Sequence, residues 1–176
     1  MRSVCGRSTR SLGIIREMAI SPLIVNSFID SCAFDPKYEP ETSAANQLHK
    51  LSDEGTLQLQ IAFSTQKELE HPNTPAWVKK QGQSLVYTIE VGLTPSEREL
   101  LRDVHAILTG NGRSETFAQD ARHVFEAQKY GGYFVTTDKR IIDKAQELQH
   151  RCGVEILLPS QFLKLVEQFL SEENDA

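Results

Sequence analysis

Apolar residues recur along this chain with two periods, and the period alternates between strand-like and helix-like segments. Residues 23–29 (LIVNSFI) are almost continuously apolar, which is typical of a buried strand. Leu57, Leu59 and Ile61 alternate with glutamines, the period of two expected of a half-buried strand. Three further strands are predicted at residues 85–91, 133–136 and 154–158.

Helix-like segments lie between these strands. The run Thr94-Pro95-Ser96-Glu97 is a capping box with proline at the first helical position. Apolar stripes with helical spacing predict helices at residues 44–51, 94–108, 117–130, 139–150 and 159–169. A short helix is expected at residues 64–71, and residues 71–84, which contain two prolines and a glycine, are expected to be mostly loop.

The regular alternation of strands and helices predicts an α/β protein. Its expected architecture is a three-layer α/β/α sandwich with a mainly parallel central sheet. A length of 176 residues suits one domain. No apolar run approaches the ~20 residues of a membrane span. The three cysteines lack the spacing of a metal site, which favours a reduced, cytoplasmic compartment.

Residues 1–17 differ in composition from the rest of the chain. Four arginines against one glutamate give them a charge of +3. Because the whole chain has a net charge of −5, residues 18–176 carry −8. We expect a disordered leader or an upstream extension before a natural start at Met18, followed by one domain over 18–176. A charge of −8 argues against a broad, non-specific nucleic-acid-binding face. It does not exclude a nuclease, because bound cations offset clustered acids locally.

Acidic side chains fall where predicted strands end. Asp30 directly follows the first strand, Asp138 follows the strand at 133–136, and Glu68 follows the strand at 57–61. The carboxyl ends of parallel strands form the edge of an open α/β sheet where ligands bind. Asp120 lies on the inward stripe of the helix at 117–130, where an isolated carboxylate is unfavourable. These four acids together predict a cation site.

Each acid also has a structural interpretation. Asp138 precedes a predicted helix and could be its N-cap. Asp120 could lie at the edge of its stripe and point to solvent, and Glu68 could be a solvated helix charge. His123, one turn after Asp120, is expected to be packed or solvated rather than a ligand. Cys32 is expected to be a small buried apolar residue.

The ordered set of short motifs resembles the PIN domain, a nuclease fold. The matching segments are FIDS at 28–31, T-x-x-EL at 65–69, Asp120 with its alanine-containing helix, VTTD at 135–138 and VEILLPSQFL at 154–163. The likeness spans about residues 23–170. Cys32 departs from it, because relatives often carry asparagine at that position.

The resemblance implies a divalent-metal-dependent endoribonuclease that hydrolyses RNA phosphodiesters. Mg²⁺ or Mn²⁺ would be bound by Asp30, Asp120 and Asp138, since hard cations prefer oxygen ligands. Glu68 would act as a further ligand or orient the attacking water. The resemblance thus implies four catalytic acids: Asp30, Glu68, Asp120 and Asp138. The candidates for substrate binding are Ser31, Thr136, Arg113 and Lys139.

Partners follow from the same resemblance. RNA is the expected substrate, an antitoxin-type inhibitor is possible as with VapC-type toxins, and the apolar C-terminal helix could serve a homodimer. The main alternative is a catalytically silent PIN-like scaffold that acts through a protein partner. Retention of four mutually repelling acids argues against that alternative, because a scaffold does not need them.

Overall fold

The computed structural model of the chain describes residues 20–65, 70–72, 74, 76–86, 92–112 and 117–174. The predictions for residues 1–17 lie outside this part of the chain. So do Glu68, Arg113 and residues 87–91 of the predicted strand at 85–91.

The sheet consists of four parallel strands in the order β2-β1-β3-β4. Their bounds are Ser27–Ile29 (β1), Leu59–Gln60 (β2), Tyr133–Val135 (β3) and Glu155–Leu157 (β4). Ile29 pairs with Val135 across β1 and β3. The next residue on each strand, Asp30 and Thr136, therefore lies at the carboxyl edge of the sheet.

The helices alternate with the strands along the chain. Their bounds are Ser31–Phe34 (α1), Glu41–Asp53 (α2), Ala76–Leu85 (α3), Pro95–Thr109 (α4), Ala118–Tyr130 (α5), Lys139–Ile142 (α6), Ala145–Cys152 (α7) and Pro159–Asn174 (α8), with a 3-10 turn at Phe63–Thr65. None of the described helices is long and apolar enough to cross a membrane.

Each face of the sheet is covered by helices. One face packs against α2 and α8, and its core includes Ile29, Leu48, Val135, Phe162 and Val166. The other face packs against α4, α5 and α7, and its core includes Phe28, Val104, Val124, Phe134 and Leu148. Successive strand residues point to opposite faces, so both faces are apolar. The predicted three-layer α/β/α architecture is confirmed.

The capping box that begins α4 is confirmed in detail. Glu97 N–H donates to Thr94 Oγ1 over 3.3 Å, and Thr94 N–H donates to Glu97 Oε2 over 2.8 Å. Pro95 occupies the first helical position, where its missing N–H has no intrahelical partner to lose.

Two predicted segments were wrong. Residues 23–25 form a turn rather than the start of a strand, because the N–H groups of Leu23 and Ile24 bond back to Ser21. Residues 76–84, predicted to be mostly loop, form α3 together with Leu85, the predicted start of a strand. Both prolines of that region precede the helix, and burial of Val78 anchors it to the core.

Two other boundaries are also corrected. The helix predicted at residues 139–150 is divided into α6 and α7. Lys144 N–H bonds Ile141 O, three residues back, and this tighter turn ends α6. In the predicted strand at 85–91, the structure describes an isolated parallel bridge between Ile61 and Val86.

Candidate active site

Asp30 is held rigidly between β1 and α1. It caps α1, and its Oδ1 accepts a 2.7 Å hydrogen bond from Ser31 N–H. Its Oδ2 accepts hydrogen bonds from Thr136 Oγ1 at 2.9 Å and from Cys32 Sγ at 3.1 Å. The residue is 7% exposed. Three donors therefore fix the orientation of a nearly buried carboxylate.

Thr136 connects the ends of two neighbouring elements. It is fully buried directly after β3, where its hydroxyl donates to Asp30 and accepts a 3.1 Å hydrogen bond from Asp138 N–H. The same hydroxyl thus positions the side chain of Asp30 and the backbone of Asp138.

Asp138 is the N-cap of α6, so its structural interpretation is confirmed. Its Oδ1 accepts from Arg140 N–H at 2.8 Å, and its carboxylate also pairs with the Arg140 guanidinium. The hydrogen bond from the Arg140 side chain is the main reason that the pKa of Asp138 lies below its ordinary value. Capping a helix does not by itself exhaust the carboxylate, because each carboxylate oxygen can accept more than one hydrogen bond or ligand contact.

Asp120 lies in the first turn of α5 and is partly buried. Its Oδ2 has no hydrogen-bond partner among the described residues. Burial raises the pKa of Asp120, and the negative charges of Asp138 and Asp30 raise it further. Asp138 and Asp30 are therefore close enough to Asp120 to disfavour its ionised form.

Arg140 is the cation nearest to two of these acids in the described chain. Its Nη2 lies 3.5 Å from Asp120 Oδ2 and also contacts Asp138. Its guanidinium lies over the ring of Phe117, 5.3 Å from the centroid. The side chain remains about half exposed, so it partly balances the acids from the solvent side.

The structure thus brings together Asp30, Asp120, Asp138 and Thr136. Ser31 lies beside them as the first residue of α1, and Lys139 is exposed at the start of α6. The roles predicted for Ser31, Thr136 and Lys139 in substrate binding stay predictions, and Thr136 is buried. Glu68 and Arg113 lie outside the described residues. Glu126 Oε2 accepts a hydrogen bond from Ser64 N–H at 3.3 Å, so the turn that precedes Glu68 in sequence lies against α5.

Cys32 is a neighbour of the acids that sequence reasoning misinterpreted. The residue is exposed, not buried, although its sulfur turns toward Asp30 and Thr136. Partial burial of the thiol, followed by the charge of Asp30, raises its pKa to about 11. The thiol therefore stays protonated and donates to the carboxylate. The sequence signal for this contact was the position of Cys32 two residues after Asp30, since an N-cap side chain lies against the first turn of its helix.

His123 is a second neighbour of the acids, and the prediction that it is packed is confirmed. It is 1% exposed, as expected for packing, but its Nδ1 lies 3.7 Å from Asp30 Oδ1. The sequence signal was its position three residues after Asp120, which places both side chains on the same face of α5.

Carboxylate oxygens are the type of ligand that a hard divalent cation prefers. Asp120 Oδ2 is a buried oxygen without a hydrogen bond among the described residues. Burial is the main reason that the pKa of Asp120 is raised; Arg140 lowers it, and the charges of Asp138 and Asp30 raise it further. Within the described residues, however, no group of three metal-ligating side chains is close enough to hold an ion. Asp30, Asp120 and Asp138 would hold the cation, with further ligands needed from water, substrate or Glu68.

Comparisons with protein-family models, curated proteins and solved structures gave no match to this chain.

Proposed function

We propose that the chain is a PIN-like endoribonuclease that uses Mg²⁺ or Mn²⁺ to hydrolyse RNA phosphodiesters. The observation that carries the proposal is the placement of Asp120. Its unbonded Oδ2 lies in the electrostatic field of Asp30 and Asp138, at the carboxyl edge of a parallel sheet. Ligands of open α/β sheets bind at this edge.

Electrostatics explains why such an arrangement suits a cation. Neighbouring carboxylates disfavour each other's ionised forms, and burial adds to the penalty. A bound divalent ion would supply the missing positive charge, activate water and stabilise charge on phosphate oxygens. Asp30, Asp120 and Asp138 would hold it.

The chain's own residues divide the work in this proposal. Asp30 is oriented by its three donors and presents a fixed oxygen. Asp120 contributes the unbonded Oδ2, and Asp138 contributes a carboxylate whose position is set by capping α6. Glu68 would add a further ligand or orient water, as its place in the resemblance implies.

Substrate binding belongs to the cations and hydroxyls around these acids. Arg140 is half exposed beside Asp120 and Asp138, a position from which a guanidinium can bind phosphate oxygens. Lys139, Ser31 and Arg113 are proposed to contact the RNA backbone. A cytoplasmic location, an antitoxin-type inhibitor and a homodimer belong to the same proposal.

A binding module without catalysis is the second candidate, and the Arg140 pairing favours it. A guanidinium that already pairs with two of the three acids reduces the need for a metal ion. In that case the acidic edge would be a structural network, and partner binding would depend on other surfaces.

A cleavage assay tests the proposal with variants in which a capping aspartate is replaced by asparagine. Labelled single-stranded RNA is incubated with Mn²⁺, with Mg²⁺, or with chelator, using wild-type protein, Asp30→Asn and Asp138→Asn. Asparagine caps helices as well as aspartate does, so both variants should keep α1 and α6 while losing a ligand charge. Asp143→Asn removes an exposed acid at the end of α6 and serves as the matched control.

The proposal predicts metal-dependent cleavage by wild type and Asp143→Asn, with activity lost in chelator and in both cap variants. Cleavage that persists in chelator would contradict the metal requirement. Folded wild-type protein that cuts no RNA with either ion would favour the binding module.

A further inference from the structure

A cavity of about 380 Å³ lies at the amino ends of β3 and β4, at the opposite edge of the sheet from the acidic residues. Its walls come from the end of α5, the end of α7 and the first residues of the two strands. They include Gln128, Gly131, Tyr133, Gln149, Gly153 and Glu155. A cavity of this size is within the range of small-molecule sites in proteins.

Glu155 sets the charge of this cavity. Among the described residues that line it, Glu155 alone has a charged side chain. The residue is partly buried, and burial raises its pKa. Neither a hydrogen bond nor a positively charged side chain in the described part of the chain offsets that rise. The carboxylate is therefore a partly buried anion for which the neighbouring residues supply no cation.

Tyr133 shows that this carboxylate lies at the cavity. The tyrosine is 2% exposed, and its ring packs on the ring of Phe162 with the centroids 5.3 Å apart. Burial, followed by the negative charge of Glu155, raises the pKa of Tyr133 to about 12. The Glu155 carboxylate must lie near the tyrosine hydroxyl to have this effect. That hydroxyl donates to Ile20 O, so its proton is already used.

The ends of two helices make the cavity more favourable for a cation. The last residues of α5 and α7 are Tyr130 and Cys152, and each helix is followed by a glycine C-cap that lines the cavity. The carbonyl groups at a helix C-terminus carry the negative end of the helix dipole, which favours a nearby cation. The side-chain amides of Gln128 and Gln149 can accept further hydrogen bonds.

We propose that this cavity binds a guanidinium group, which belongs either to a small free molecule or to an arginine side chain. A guanidinium pairs with a carboxylate through two parallel hydrogen bonds and keeps other N–H groups for neutral acceptors. It is also more weakly hydrated than an ammonium group, so it enters a partly buried site more easily. The inference is independent of the proposed nuclease function, because the cavity contains none of the acids at the carboxyl edge.

Calorimetry on the full chain tests the proposal with three probes. Agmatine is a small free guanidinium compound, and N-acetyl-arginine amide presents an arginine side chain with a blocked backbone. N-acetyl-citrulline amide has nearly the same shape as the arginine probe but is neutral. Each probe is titrated into wild type, Glu155→Gln and Glu147→Gln. Glu147 is the matched control, since it is an exposed acid on α7 that pairs with Lys144 and does not line this cavity.

We expect guanidinium binding by wild type and Glu147→Gln with the same Kd. Glu155→Gln should weaken it by about tenfold or more, because a hydrogen-bonded charge is lost. The citrulline probe should bind wild type more weakly than the arginine probe by a similar factor. In ¹H–¹⁵N spectra the amide signals of Gly131, Gly132 and Gly153 should shift, whereas those of Thr136 and Asp138 at the opposite edge should not.

The arms of the experiment identify the source of the guanidinium. Tighter binding of agmatine would favour a small free molecule, and tighter binding of N-acetyl-arginine amide would favour an arginine side chain. Equal binding of the arginine and citrulline probes to wild type would overturn the proposal without recourse to any variant. The same holds for equal Kd values of wild type and Glu155→Gln, for signal shifts confined to Thr136 and Asp138, and for wild type that binds none of the probes.

Discussion

Thr136 Oγ1 donates a 2.9 Å hydrogen bond to Asp30 Oδ2, and this contact joins the carboxyl ends of β1 and β3. The same oxygen accepts from Asp138 N–H at 3.1 Å. One buried hydroxyl therefore sets the relative positions of two proposed ligands. The order of the sheet makes this possible, because β1 and β3 are adjacent although 106 residues separate Asp30 from Thr136.

Thr136→Val should destabilise the protein by about 1–3 kcal/mol, because it leaves a buried carboxylate oxygen and a backbone N–H without a partner. Valine has a similar shape but lacks the hydroxyl. Urea unfolding of wild type, Thr136→Val and Thr136→Ser measures the effect. Thr136→Ser retains the hydroxyl and should lose less. Equal stability of Thr136→Val and wild type would mean that the hydrogen bond contributes nothing.

Gly131→Ala should be far more destabilising than Gly132→Ala. A Cβ on Gly131 would lie 2.3 Å from Asn26 O and within 3.0 Å of the Phe28 ring, whereas on Gly132 the nearest atom is Val25 Cγ2 at 3.7 Å. Relieving the clash must move backbone at the point where α5 meets the sheet. We expect a loss of about 1–3 kcal/mol for Gly131→Ala in thermal or urea unfolding. A larger loss for Gly132→Ala would contradict the observed packing.

Much of the sheet edge was predictable from sequence, since Asp30 and Asp138 each follow an apolar segment. Asp30 and Asp138 follow β1 and β3 closely, and a parallel sheet then places them on one edge. The contact between Arg140 and both Asp120 and Asp138 was not predictable. The long side chain of Arg140 reaches from α6 to α5, and the local sequence pattern does not specify the direction in which a long side chain points.

The fold was mispredicted where tertiary contacts decide the local structure. Residues 71–84 have the composition of a loop, yet α3 forms over Ala76–Leu85, with Val78 buried in the core. Residues 23–25 are apolar but form a turn, and Ile24 is 71% exposed. Hydrophobicity at a single position does not specify whether a partner surface covers it.

The contact between Glu97 and Lys129 should make the free energy of unfolding depend on pH below 4.5, the ordinary pKa of a glutamate. The hydrogen bond from Lys129, at 2.7 Å, lowers the pKa of Glu97 from 4.5 to about 2, and bonds from Thr94 contribute. A carboxyl group with a lowered pKa stabilises the fold above its unfolded pKa, and this stability is lost as pH falls toward the folded value.

Glu97→Gln tests this dependence, because glutamine also fits a capping box but carries no charge. The melting temperature of wild type should exceed that of Glu97→Gln at pH 7. The difference should shrink as pH falls from about 4.5 toward about 2. Glu99→Gln, an exposed acid on the same helix, should show no such trend. A difference that is constant with pH would contradict the role of the charge.

Asp120→Asn should stabilise the metal-free protein. Burial and the charges of Asp138 and Asp30 raise the pKa of Asp120, so its ionised form is unfavourable in the folded state. Removing that charge should raise the free energy of unfolding in chelator at pH 7 by about 1 kcal/mol. The advantage should disappear as pH falls through the folded pKa to below 3.8, where wild-type Asp120 is also neutral.

Added metal should reverse the order of stability of wild type and Asp120→Asn. Added Mn²⁺ or Mg²⁺ should stabilise wild type more than Asp120→Asn, because binding to the native state adds stability by mass action. Thermal unfolding with chelator and with each ion measures both effects. If the variant melts lower in chelator and metal shifts both proteins equally, Asp120 is a structural residue and not a ligand.

Arg140→Ala should weaken the metal-free protein slightly and increase its response to metal. The guanidinium contacts Asp120 and Asp138, where a divalent ion would also reduce their repulsion, so the two cations compete. The side chain is half exposed, which limits the loss in chelator to about 0–1 kcal/mol. Without the competing charge, the melting temperature should rise more on addition of Mn²⁺ than it does in wild type, and the Kd for Mn²⁺ should fall.

Lys139→Ala, which removes the exposed neighbouring cation, controls for the general loss of positive charge. Weaker Mn²⁺ binding in Arg140→Ala than in Lys139→Ala would mean that Arg140 positions the carboxylates for the ion instead of competing with it.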